Sequence, residues 1–137
     1  MKGFGDQYKS KDKIKKNTKP PKEKIINQAF KFHSQGNISE AAKYYQYFIH
    51  EGFEDSRVFS NYGVILKDLG KLQEAEISFL EAIKLKPDYV DAYYNLGSIV
   101  SNLGKSREVR LCSEKIISIR SWSILGSYIF NREMKLD

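Results

Sequence analysis

From Phe59 onward, apolar side chains return every three or four positions. Phe59, Tyr62, Leu66 and Leu69 form one stripe, and after Gly70 a second runs through Leu72, Ala75, Phe79, Ala82 and Ile83. That spacing is the period of an α-helix with one buried face, so the segment predicts two short helices. Gly70, between them, suits a helix-ending residue of positive φ. Pro87 cannot continue the second helix, because it lacks the backbone N–H and its ring clashes with the preceding turn. Residues 56–89 therefore read as an αα-hairpin. Gly63 stands in the middle of its first helix, where glycine costs roughly 1 kcal/mol relative to alanine.

The pattern recurs with a stride of 34 residues. Gly36, Gly70 and Gly104 share it, as do Asn27, Asn61 and Asn95. Ala29, Gly63 and Gly97 make a column of small residues, Ala41 and Ala75 a pair, and Tyr45 and Phe79 an aromatic pair. Chance does not supply so many independent columns at one offset. One hairpin cannot bury both its faces, whereas three stacked hairpins make a continuous core. The small residues then have a purpose: Gly63 facing Ala75 would let the helix backbones approach, with Tyr62 and Phe79 filling the space beside them. On this reading, Gly97→Leu overpacks the equivalent contact by about 1–3 kcal/mol.

A 34-residue helix–turn–helix unit with these columns resembles the tetratricopeptide repeat (TPR). Residues 56–89 carry the likeness best, with Phe59, Tyr62, Gly63, Leu66, Gly70, Ala75, Phe79, Ala82 and Pro87 at motif positions. The unit from Lys22 keeps Ala29, Phe32, Ala41 and Tyr45, but has Ile25 at the usual tryptophan position and Phe53 in place of proline. The unit from Val90 begins with Tyr93, Leu96 and Gly97. It then departs, with Val109 for alanine, Ser113 for an aromatic and Ser121 for proline. The resemblance implies an all-α solenoid, a right-handed superhelix of about three repeats at 22–55, 56–89 and 90–123. A C-terminal helix over 124–137 is expected to pack as a cap or as part of a further repeat.

Charge and composition alter this picture at one end only. Residues 1–21 hold seven lysines against Asp6 and Asp12, which is +5 of the net +6, so the rest of the chain is close to neutral. With few apolar residues, that segment is expected to be a disordered basic tail before a repeat domain at 22–137. A neutral body argues against nucleic acid as the main partner. No apolar run is long enough to span a membrane, and the tail lacks the apolar stretch of a secretory signal. The lone Cys112 excludes an internal disulfide and a cysteine-based metal site, and a cytoplasmic setting is the default. Cys112 falls on the stripe Val109, Cys112, Ile116, Ile119, where it reads as a small buried hydrophobe. His33 and His50 have no metal-ligand spacing, and nothing marks a phosphate loop or a catalytic constellation. No enzyme activity, metal or cofactor is expected.

The asparagine column is the candidate site. In TPR superhelices the first helices line the concave face, and in peptide-binding members matching asparagines hydrogen-bond an extended ligand's backbone. The resemblance to the O-GlcNAc transferase superhelix and to motor-adaptor domains implies that role for Asn27, Asn61 and Asn95. An amide suits it, having both donor and acceptor. Phe30, Arg57, Val64, Lys67, Asp91, Tyr94 and Ser98 are expected on the same face, together with Ile26 and Ser60. Ile26 and Phe30 stand where a clamp for a chaperone's terminal carboxylate needs polar groups, so an extended peptide or a partner helix fits better. The function expected is a protein-interaction module with a scaffold or adaptor role. The alternative is the substrate-recruiting front of a bacterial glycosyltransferase, sulfotransferase or methyltransferase, or a truncated relative of one. Self-association through the apolar C-terminal helix is a further expectation.

Overall fold

The computed structural model describes residues 20–133, with side chains as far as residue 127. The expected basic tail, apart from Pro20 and Pro21, and residues 134–137 lie outside that range. The described residues form six helices and no strand: α1 (Lys22–Ser34), α2 (Ile38–His50), α3 (Ser56–Asp68), α4 (Leu72–Leu85), α5 (Val90–Asn102) and α6 (Ser106–Glu133). They pair as α1–α2, α3–α4 and α5–α6, and each pair stacks on the next through α2–α3 and α4–α5. The first helices α3 and α5 also touch, so they stand side by side in the stack. This is an all-α TPR solenoid.

The turn inside each hairpin is one device used three times. Gly36, Gly70 and Gly104 have φ of 73°, 74° and 73°, a left-handed conformation open to glycine without penalty. At the first turn, Gly36 N–H donates to the His33 carbonyl and Asn37 N–H to the Phe32 carbonyl, 3.0 and 2.9 Å. Equivalent pairs close the second turn, to Lys67 and Leu66, and the third, to Ser101 and Val100. The carbonyls orphaned at the helix end are thereby satisfied, and the chain reverses in the fewest residues.

The ends of the hairpins differ from one another, with a structural consequence. After α2, Gly52 repeats the glycine turn at φ 76°. After α4, Pro87 stops the helix. After the third hairpin the corresponding positions hold Arg120 and Ser121, and neither interrupts a helix. α6 accordingly runs on to Glu133, twice the length of α4. This corrects the expected boundary near residue 123, because one helix replaces two. It also corrects the expected packing: Trp122 is 72% exposed, and Ile117, Ile124 and Leu125 are exposed with it. Leu69, placed on the buried stripe by sequence, is likewise exposed at the end of α3.

Two clusters share the core. One holds Ile25, Ile26, Ala29, Tyr45, Phe48, Val58 and Ile65; the other holds Leu66, Phe79, Ala82, Leu96, Ile99, Val100 and Cys112. Tyr62 packs against both, which makes the core continuous along the stack. Cys112 is buried, as its place on the stripe requires. What stands nearest to Gly63 is Phe79. A Cβ built at Gly63 would stand 2.9 Å from Cζ of Phe79, so the glycine makes room for an aromatic ring. At Gly97 the nearest atom would be Cβ of Cys112 at 3.5 Å, an ordinary contact. The steric demand therefore falls on the second unit and not on the third.

Candidate functional site

The first helices α1, α3 and α5 carry the asparagine column. α1 buries Ile25, Ile26 and Ala29, whereas in α3 and α5 the buried Val58 and Ile65, and Ala92 and Ile99, flank Asn61 and Asn95 on the same side of the helix, one turn before and one turn after. Asn27 is exposed, while Asn61 and Asn95, at the edge of the buried faces, are half-buried. Ile26 and Ser60 belong to the buried side and are removed from the expected contact surface.

The three amides are not equivalent. Nδ2 of Asn61 donates to the Tyr45 hydroxyl at 3.3 Å, and Nδ1 of His33 lies 2.9 Å from the same oxygen. One buried phenol thus ties α1, α2 and α3 together. Burial pushes the Tyr45 phenol above its ordinary range, more than the bond from Asn61 lowers it, so it stays protonated. Asn95 accepts from Nζ of Lys67 at 3.0 Å and donates Nδ2 to the Asp91 carbonyl, also at 3.0 Å. The Asn27 side chain makes no hydrogen bond to the other described residues. Every amide keeps free capacity, since an asparagine offers two N–H donors and two acceptor lone pairs. The bracing bonds fix where Asn61 and Asn95 point.

Arg57 is committed as well. Its Nε and Nη2 bind the Asp55 carboxylate at 3.1 and 2.8 Å, and its guanidinium carbon lies 5.2 Å from the Phe30 ring centroid. Asp55 in turn caps α3 by accepting from the Arg57 backbone N–H at 2.9 Å. Burial alone would raise the Asp55 carboxyl; the Arg57 hydrogen bonds and charge outweigh it and hold the group below its usual range. This triad joins α1 to α3, with the flat cation pinned between an acid and a ring. Val64 is partly buried against the core, while Tyr94, Ser98 and Asp91 are exposed on α5. The structure therefore brings Phe30 to Arg57, and Lys67 to Asn95, while Asn27 stands apart.

Sequence reasoning missed Tyr45 and His33 as braces. Their one signal was that Tyr45 replaces Phe79 in the aromatic column, which adds a hydroxyl needing partners. It also read Ser113 only as a departure from the pattern, although the change opens a cavity beside Gly97. Among the described residues no group of three or more His, Cys, Asp or Glu side chains could hold a metal ion. No helix among them is long and apolar enough to cross a membrane.

Comparison with known proteins bears on the fold. A family model described as TPR repeat matches residues 63–104, and one described as tetratricopeptide repeat matches residues 90–121. The chain is similar to protein O-mannosyl-transferase Tmtc3 of Drosophila melanogaster, 27% identical over 86 residues, which is 61% of this chain and 9% of that protein. The crystal structure of MamA superposes with a TM-score of 0.66 at 22% identity, covering 73% of this chain and 58% of that one. The second TPR of Spaghetti (RPAP3), bound to the HSP90 peptide SRMEEVD, gives 0.64 at 23% identity over 72% and 94%. The TPR2B domain of yeast Sti1, in a complex with pHsp70, gives 0.65 at 19% identity over 82% and 90%. At such identities these likenesses establish the fold.

Proposed function

We propose that this chain, which belongs to the tetratricopeptide-repeat family, is a noncovalent interaction module. In this reading it holds an extended peptide or a partner protein along the face built by α1, α3 and α5, in a scaffold or adaptor role. One observation carries the proposal: three asparagines at a constant stride, two of them oriented by bonds within the fold. A ligand backbone would meet donors and acceptors that lose little freedom on binding. Phe30 and Tyr94 would supply apolar contact beside them, and Val64, Lys67, Asp91 and Ser98 would line the path. Arg57 serves chiefly to hold the face in shape, because Asp55 already occupies its guanidinium. Two of the similar structures are complexes with chaperone-derived ligands, which supports peptide holding in general. A terminal-carboxylate clamp is not part of this reading, since Ile26 is buried and Phe30 is stacked. Non-enzymatic action and a reducing, cytoplasmic setting for the single thiol complete it.

The test is an immobilised peptide array probed with wild type, Asn27→Ala and the double variant Asn61→Ala/Asn95→Ala. Asn27→Ala breaks no internal bond, so loss of peptide retention there isolates ligand contact. The double variant should retain less still, at a stability cost of about 1 kcal/mol per lost brace. Retention unchanged in all three proteins would refute the amide column as a binding element.

Two observations favour further readings. Similarity to a segment of an O-mannosyl-transferase fits a recruiting region within a larger transferase, and a catalytic domain encoded after Asp137 would establish it. The exposed Ile117, Trp122, Ile124 and Leu125 of α6 fit weak self-association, which light scattering against concentration would reveal.

A further inference from the structure

The three hairpins share a column that reads Tyr45, Phe79, Ser113. In the first two the ring is fully buried, and in the second it sits directly on Gly63. The third hairpin keeps the glycine, Gly97, but has lost the ring. Ser113 turns its hydroxyl back along its own helix, donating to the Val109 carbonyl at 3.1 Å. What remains is an open cavity of about 230 Å³ walled by Tyr94, Gly97, Ser98, Val109, Ser113 and Ile116 among others. The geometry points to this notch as a receptor for one aromatic or bulky aliphatic side chain of the bound peptide, a role that rests on the peptide-holding reading above.

Three features select that occupant. The volume is several times the roughly 30 Å³ share of a water molecule, yet below the 300–1,000 Å³ typical of small-molecule sites, so it suits a single side chain. No charged residue lines the notch, which excludes a lysine or carboxylate anchor, since an unpaired charge would be desolvated there. Two of its walls, Tyr94 and Ser98, belong to the face proposed to hold the peptide, on one flank of Asn95 along α5. The preceding hairpin supplies the template: the Phe79 ring occupies the matching space against Gly63. The partner would thus complete the third unit by inserting the ring that this chain omits.

A positional-scanning peptide library probed with the full chain tests this. Wild type should prefer Phe, Tyr or Leu over Ala, Lys or Asp at one position by about tenfold to a hundredfold, the range expected for burying one such side chain. Ser113→Phe, which restores the missing ring, should abolish that preference while other positions are read as before. Should it fail to fold, Gly97→Leu fills the notch from the opposite wall, where a Cβ has room. Peptide binding without the preference, or a preference that survives filling of the notch, overturns the anchor and leaves the peptide-holding reading standing. If no peptide binds, that reading falls, and titration with N-acetyl-phenylalaninamide decides for the notch. Saturable NMR shifts at Gly97 and Ser98, absent in Ser113→Phe, retain it, and no shift refutes it. Shifts that vanish as the protein dimerises assign the notch to a second copy and overturn the proposal.

Discussion

Adding one methyl group at Gly63 and at Gly97 should move stability in opposite directions. Both glycines lie inside first helices, so alanine brings the same propensity gain to each, roughly 1 kcal/mol. At Gly97 the new Cβ meets only Cβ of Cys112 at 3.5 Å, and the gain is realised. At Gly63 it would lie 2.9 to 3.1 Å from three atoms of the Phe79 ring, which is fully buried and cannot swing aside. Overpacking of that kind costs about 1–3 kcal/mol. Gly97→Ala is therefore expected to stabilise by about 0.5–1 kcal/mol and Gly63→Ala to destabilise by about 1, a separation near 2 kcal/mol. For a domain of this size that is roughly 8 °C in melting temperature. Urea titrations followed by circular dichroism would measure it, with an unchanged slope showing that the denatured state is unaffected. Phe79→Leu should relieve Gly63→Ala, giving a double variant more stable than the two single losses predict together. If both alanines stabilise equally, the Phe79 ring has somewhere else to go and the packing argument is wrong.

Three more outcomes follow from individual groups. Asp55→Ala should cost about 0.5–2 kcal/mol at neutral pH through loss of the α3 cap, measured by thermal melts. Because the native carboxyl is held low, its stabilisation is present above the unfolded pKa near 4 and lost as pH falls through the native value, so Asp55→Asn should flatten the acid side of the melting curve. Tyr45→Phe should destabilise by about 1 kcal/mol. It should also reduce the loss of stability above about pH 10, where the unfolded phenol ionises and the buried one does not, seen in urea midpoints across alkaline pH. Trp122, the single tryptophan, should emit as a solvated indole fully open to acrylamide quenching in dilute protein, and protection there would show that α6 is covered.

The sequence alone determined the architecture, because its signals are local. Apolar stripes at helical spacing define each element. Gly36, Gly70 and Gly104 mark turns whose φ near 73° glycine adopts without strain. A constant stride of 34 then requires hairpins that stack. The length of α6 is legible in the missing stop at Arg120 and Ser121, where the 34-residue stride by itself predicts a boundary. Only the tertiary structure decided what each column does. Asn61 is tied to Tyr45, 16 positions away, and Asn95 to Lys67, 28 away, because stacking sets those side chains against one another. Gly63 answers to a ring, whereas Gly97 borders an empty notch, although both occupy one place in the repeat. Periodicity specifies which residues are equivalent along the chain, while the identity of the neighbour across the helix interface determines whether an equivalent residue braces, packs or stands open.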